Sequence, residues 1–420
     1  MTLRYDELLD AVAEAGVGVR ARTPLEPLGG PDEKIFPPTY SVARDAKTKY
    51  ALEQRRVDGE AVDAVVLDAV ASQANRMESA LLDAYRRGEV TIPLVSVDFR
   101  EAPGVEGLDR ISSLEAPHRI FDAILRDGLL DDVLFRLSDV GQAVTEASSR
   151  NAAALFRYAP HTLVFGGWDS TGPRGGRGAK YERALTSEIV ATGVLHGKKT
   201  SSRIDPLGIE KEAGPVYEAK DGTWTEDPED AVIEKGKPKL VGHGGEGGRP
   251  SQINHGNIAP SIDEQAGGVT ADEIRATTVL SFVQLRRLRF PLTTSGVVVA
   301  DDRRQSVEAA GHAALAALGI AATVLAFDDG FDLRSRCVLR AKEDLSFELL
   351  YRGSATGEKF TLDRVGALDL LETARGKAIE AGLEWDTEEI VLRPLDGLVQ
   401  LVRKSQEIAA KGIAASDGEG

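Results

Sequence analysis

From Asp6 to Ala15 apolar positions recur at helical spacing and predict a short helix, after which VGVRARTPL alternates as a strand does. PLEPLGGPDEKIFPPTY follows with the proline and glycine punctuation of a loop. Between Ala61 and Arg87, Val62, Val65, Val66, Ala69, Val70, Met77, Leu81 and Ala84 keep a helical period and predict one long helix closed by Gly88. VTIPLVSVDF reads as a strand in which Pro93 marks an edge or a bulge. APHRIFDAILRDG and SDVGQAVTEASSRNAAALFRYA read as helices and HTLVFGGW as a strand, while AKYERALTSEIVATGVL fits either state.

The pattern fades between about Ile204 and Ser261 into glycine, proline and charge, which predicts an irregular insertion with one or two short hairpins. Periodicity returns with TADEIRATTVLSFVQLRRLRF and then with a helix carrying Val307, Ala310, Leu315 and Leu318. His312 falls off that apolar stripe and is expected at the surface. ATVLAF and SFELLYR are strand candidates, RVGALDLLETARGKAIEAG is a helix, and the tail AAKGIAASDGEG should fray. Helices and strands mix without a strict repeat. At 420 residues, one elaborated domain or two modest ones are expected.

Composition narrows the function classes. With 42% hydrophobic and 28% charged residues the chain reads as globular, and the acidic, amphipathic N-terminus lacks the pattern of a signal peptide. No apolar run is expected to span a bilayer, so the expected compartment is the cytoplasm, with no membrane partner. The single cysteine, Cys337, rules out an internal disulfide or a multi-cysteine metal site and reads as a small buried hydrophobe. A net charge of -16 argues against indiscriminate nucleic-acid binding by the whole surface, yet it leaves room for a local basic groove.

Such a groove has candidates. Six glycines lie between Gly166 and Gly178, and from Ser170 to Arg183 the cations Arg174, Arg177, Lys180 and Arg183 face a single acid, Glu182. Glycines let a backbone approach a ligand, and Ser170 and Thr171 add donors suited to phosphate oxygens. A solvated loop explains the same composition equally well. Asn75 and Arg76 belong to a polar stripe on a helix, LRRLRF gathers Arg286, Arg287 and Arg289, and HGKKTSSRID adds Lys198, Lys199 and Arg203. Each patch alone is ordinary wet surface; only folding shows whether they converge.

Enzyme readings fare less well. GVLHGKKT departs from a nucleotide-binding loop, because its glycines enclose three residues and Lys199 stands where a hydroxyl is required. His243, Glu246 and His255 fit no zinc spacing, and Asp169 is the least arbitrary acid for a carboxylate nuclease, with a turn or cap as its plain alternative. No cofactor or metal is expected.

FPPTY at Phe36, SQANRMESALL at Ser72, APHRIFDAILRD at Ala116, FGGWDSTGPRGGRGAKYERALTSEI at Phe165, SSRIDPLGI at Ser201, INHGNIAPS at Ile253, LRRLRFP at Leu285 and DLRSRCVL at Asp332 occur in order along the chain. Together they resemble the guide-RNA-binding backbone subunit of subtype I-G (formerly I-U) CRISPR Cascade complexes, a branch of the RAMP superfamily. The resemblance implies an α+β fold, a modified RRM-like (ferredoxin-like) core with large insertions forming finger and thumb elements. Residues 1–203 and 262–410 would form the discontinuous core, 204–261 a thumb-like hairpin insertion and 411–420 a flexible tail. It further implies copies stacked head to tail along a CRISPR RNA, pairing of that guide with target DNA, other subunits capping the guide ends, and a separate helicase-nuclease. The guide contacts would fall to Asn75, Arg76, Ser170, Thr171, Arg174, Arg177, Lys180 and Arg183, and then to Arg203, Asn254, His255, Asn257, Arg286, Arg287 and Arg289. No catalysis is implied. The alternatives are a metal-dependent endoribonuclease of the same superfamily using Asp169, and a phosphate-ligand enzyme using the glycine loop.

Overall fold

The computed structural model describes residues 2–43, 45–170, 172, 178–242, 247–292 and 296–416, the last six by backbone alone. Its centre is a nine-stranded sheet. The strands are β1 (Gly16–Pro27), β2 (Leu52–Val57), β3 (Glu60–Asp68), β4 (Leu185–Thr192), β5 (Glu273–Ser281), β6 (Phe331–Arg334), β7 (Cys337–Ala341), β8 (Phe347–Tyr351) and β9 (Glu358–Phe360). The helices that cover it include α1 (Tyr5–Ala13), α2 (Val70–Arg86), α3 (Asp301–Asp328) and α4 (Arg364–Ala381), and α5 (Asp396–Ser416) ends the described chain.

Connectivity decides what this sheet is. β5 lies antiparallel between β1 and β4, so β1 and β4 run parallel to each other, joined by a connection that contains α2. β1 in turn lies antiparallel between β5 and β8, and those two parallel strands are joined through α3. Two β-α-β units are thus interleaved, each enclosing a strand of the other, in the order β8-β1-β5-β4. A second, smaller sheet forms where Ile390–Pro394 returns to lie parallel to Val95–Asp98.

Alternation along the strands sends Val19, Ala21, Leu185, Leu280, Phe347 and Leu349 to the helix side, where they meet Leu315, Leu318 and Ile320 of α3. α3 touches α1, α2 and α4 and is buried nearly all round, as an evenly apolar helix must be. By length and composition alone this helix is apolar enough to cross a membrane, contrary to the sequence expectation; the fold uses it as the core rod. Local signals mark α4 well: Asp363 caps its first turn by accepting from Gly366 N, and Gly382 ends it at φ +106°.

Several sequence expectations change. The helix expected over 61–87 is a strand to Asp68 and a helix only from Val70, because β-branched valines at 62, 65 and 66 pair against β4 and β2. HTLVFGGW is a short helix, Pro160–Phe165, leading into the strand pair Gly167–Trp168 with Lys180–Tyr181, and ATVLAF belongs to α3. SDVGQAVTEASSRNAAALFRYA breaks into two helices, Asp139–Glu146 and Ala153–Tyr158, and APHRIFDAILRDG into a short turn and Ala123–Arg126. In TADEIRATTVLSF, β5 precedes a one-turn helix, Phe282–Leu285.

His312 is buried rather than exposed: its Nε2 donates to Leu288 O at 2.8 Å and its ring lies beside Phe290. Burial pushes its pKa down to about 4, and that of the fully enclosed His161 to about 3. A histidine held neutral in the fold but protonated when unfolded costs stability as pH falls through its ordinary value near 6.5. We therefore expect the urea midpoint to fall between pH 6.5 and pH 4, and to fall less in His312→Gln, whose amide can still donate to Leu288. An unchanged acid slope in that variant would count against a buried neutral imidazole.

Candidate nucleic-acid interface

The glycine-rich loop grows from a buried ionic node. On α2, Glu78 sits in the stripe formed by Ala74, Met77 and Leu81 and is 2% exposed, so it requires a buried partner. Arg119 supplies it, donating from Nε and Nη2 to the two carboxylate oxygens at 2.6 and 2.7 Å. The third direction of the same guanidinium, Nη1, donates to Gly166 O at 3.1 Å, and its plane lies over the Phe165 ring. Arg119 holds a φ of +53°, which a non-glycine residue adopts at a cost. Burial drives the Glu78 carboxyl up to about 7 against the pull of Arg119.

Gly166 itself requires φ +86°, and Arg183 packs so closely on it that a Cβ there would stand 2.8 Å from Arg183 Cγ. Burial, and then repulsion from Arg119, lowers the pKa of this guanidinium, with Glu78 opposing. The half-buried Arg183 side chain makes no hydrogen bond or ion pair with any described residue. Beyond Gly166, Asp169 is 2% exposed and accepts from Arg136 Nη2 at 2.5 Å, while its N–H donates to Ala179 O. Gly178 closes against it, since a Cβ at 178 would lie 1.8 Å from Asp169 O. Asp169 thus anchors the root of the loop.

Lys180, exposed and likewise without a side-chain partner among the described residues, lines a pocket of about 340 Å³ with Ser149, Glu182, Gln284 and Arg287 at its edges and Leu163 and Leu288 among its walls. Arg287 reaches Glu182 Oε2 at 2.7 Å across this rim. Arg289, whose N–H donates to Ser149 O, directs its guanidinium to Glu308 at 2.7 Å. Lys180 and Arg287 are therefore brought together at this pocket, whereas Arg183 lies against Gly166 and not among the pocket's lining; Ser170, two residues after the Trp168 that pairs with Lys180, is exposed.

Other expected contacts are spent inside the fold or stand elsewhere. Arg76 pairs with Asp68 at 3.0 Å and donates to Asp332 O at 2.9 Å, beside β6, while Asn75 stands exposed one residue before it. Arg286 donates to Glu14 O at 2.7 Å and to Gly16 O, tying the one-turn helix to the start of β1. Arg203 pairs with Ile258 in the ribbon Lys199–Arg203 with Ile258–Asp263, and His255 and Asn257 gather at its end around the buried Asp205. There Asn257 Oδ1 accepts from Asp205 N at 2.8 Å, Gly256 N donates to Asp205 Oδ2, and His255 Nδ1 lies 4.0 Å from that oxygen. Asn254 takes the left-handed conformation at φ +59°. Thr171, Arg174, Arg177, His243 and Glu246 lie outside the described residues. Among the described residues no group of three or more His, Cys, Asp or Glu is arranged to hold a metal ion.

Glu78, Arg119 and Arg136 escaped the sequence reading. A signal for Glu78 existed, since a carboxylate inside an apolar stripe must be neutralised by something. The segments SQANRMESALL, APHRIFDAILRD and FGGWDSTGPRGGRGAKYERALTSEI, far apart in sequence, meet at this one node.

No curated protein matches the chain. A family model described as CRISPR-associated protein GSU0053 (Cas_GSU0053) matches residues 19–196, the segment that runs from β1 through α2, the node and the glycine loop to β4. Over that segment, which is less than half of the chain, the protein is similar to the CRISPR-associated protein GSU0053 family.

Proposed function

We propose that the protein is a non-catalytic, cytoplasmic backbone subunit that holds CRISPR RNA and presents it for pairing with target DNA. The observation that carries this reading is the pair Lys180 and Arg183, two cations without described partners, at the foot of a glycine-rich loop rooted in a buried ion pair. Cations that no described residue pairs suit phosphates and are indifferent to base sequence, which a guide holder requires.

The interleaved β-α-β order supports an RRM-like core. The sheet face turned away from the helices places Arg20, Val279 and Thr186 in one row and Arg22, Thr277 and Glu188 in the next, with no aromatic ring among them. The usual base-stacking platform of such sheets is thus absent from these rows, and the grip falls to the loops. The hydrogen bond from Arg136 to the buried Asp169 supports an architectural role for that acid over the endoribonuclease alternative. Copies would pack head to tail along the guide, a heterologous arrangement that propagates along a strand instead of closing. Other subunits would cap the guide ends and a separate helicase-nuclease would cut the target.

Expression beside a CRISPR array and its neighbouring subunits tests this. The protein should copurify with array-derived RNA of discrete length, several copies to each RNA. Recovery of bulk cellular RNA without array enrichment, or of no RNA, would overturn it.

A further inference from the structure

Tryptophan is a costly residue to leave in water, and the chain places its three differently. Trp385 is 4% exposed and donates Nε1 to Thr91 O at 3.1 Å. Trp224 meets the edge of His255. Trp168 is 50% exposed, and its indole has no ring contact, cation contact or hydrogen bond with any described residue.

Its backbone, by contrast, is fixed on every side. Gly167–Trp168 pairs with Lys180–Tyr181, and Tyr181 stacks on Phe121 at 6.2 Å with the planes 8° apart. Gly167 is wedged so that a Cβ would fall 2.6 Å from Thr162 Cγ2, and the next residue after Trp168 is the Asp169 bound to Arg136. Directly opposite Trp168 in the ribbon stands Lys180, and residues paired across two antiparallel strands project from the same face. An aromatic side chain on a fixed backbone therefore stands beside an ammonium that no described residue pairs.

We infer that Trp168 is a stacking platform for an unstacked nucleobase of single-stranded RNA, with the adjoining phosphate held by Lys180. The inference rests on the RNA-binding reading above and adds to it a base contact that is blind to base identity. Charge favours this occupant: the platform adjoins Lys180, whose ammonium no described residue pairs, whereas a purely apolar partner would leave it desolvated without a counter-charge. Stacking on tryptophan tolerates every base, so it suits a protein that must accept any guide.

The test uses the full chain, a labelled oligouridylate and an abasic ribose-phosphate strand of equal length, with wild type, Trp168→Ala and Trp168→Phe. Wild type should bind the base-bearing strand more tightly. Trp168→Ala should lose roughly 5- to 100-fold on that strand and nothing on the abasic one, and Trp168→Phe should keep most of the affinity. An alanine variant that binds both strands like wild type, or loses equally on both, overturns the platform and leaves RNA binding standing. Loss of copies per RNA with the base preference intact makes Trp168 a contact between proteins and overturns it too. Wild type that binds neither strand ends the RNA-binding reading and the platform together.

Discussion

Arg119→Met should destabilise the protein by about 3–5 kcal/mol, the range found when one member of a buried ion pair is removed. Methionine preserves much of the volume over Phe165, so the loss isolates the charge: Glu78 is left enclosed without its bidentate partner, and Gly166 O loses its donor. The pH dependence identifies the cause. In the wild type, burial already holds the Glu78 carboxyl at about 7, above its unfolded value of 4.5, so the stability it contributes is full at low pH and lost as pH rises through 7. Without Arg119 its remaining charged neighbour is the more distant Arg183, and the carboxyl should rise further. The stability deficit of the variant should therefore be largest near pH 8 and narrow toward pH 5.5, where Glu78 can fold protonated. His161 pushes the same way, because in the wild type burial and then Arg119 depress its pKa, and removing Arg119 lets the imidazole protonate more readily in acid. Urea titrations at the two pH values measure this, and Glu78→Gln combined with Arg119→Met should recover most of the loss. A deficit below about 1 kcal/mol, or one that widens in acid, would show that the node is not held by charge.

What could be read from the chain before folding divides along physical lines. The strands at VGVRARTPL and SFELLYR and the helix at RVGALDLLETARGKAIEAG were legible, because there local pattern and tertiary burial agree. Ala61–Asp68 misled because valines at mixed spacing satisfy a helical period as well as a buried strand, and only pairing with β4 decides between them. ATVLAF misled for the converse reason: a helix buried on all sides shows no polar stripe, so its β-branched residues look like strand. The cations teach a related lesson. Arg76 and Arg286 look like surface charges in sequence, yet both cross-link the fold through carbonyls 256 and 272 residues away, at Asp332 and Glu14. No local signal separates a charge of that kind from Lys180 or Arg183, which make no hydrogen bond or ion pair with any described residue.

That distinction yields the second large effect. Removing Lys180 and Arg183 together, as Lys180→Ala with Arg183→Ala, should weaken binding of single-stranded RNA roughly a hundredfold, taking about 1.5 kcal/mol for each charged hydrogen bond to phosphate. It should also flatten the plot of log affinity against log salt by about 0.7 for each phosphate no longer neutralised, roughly 1.4 in all. Arg76→Gln is the contrasting case: it breaks an internal cross-link, so it should lower the unfolding midpoint and leave the salt slope unchanged. The two members of the pair should also differ from each other. Arg183 sits half-buried against Gly166, repelled by Arg119 and hydrogen-bonded to nothing described, so in the absence of RNA the fold gains little from its charge. Arg183→Met alone should therefore leave the melting temperature unchanged or raise it while still weakening RNA binding, because no described residue hydrogen-bonds this guanidinium and a phosphate would. A fall in melting temperature with normal RNA affinity would make Arg183 part of the scaffold and leave Lys180 and the loop to bind the guide without it.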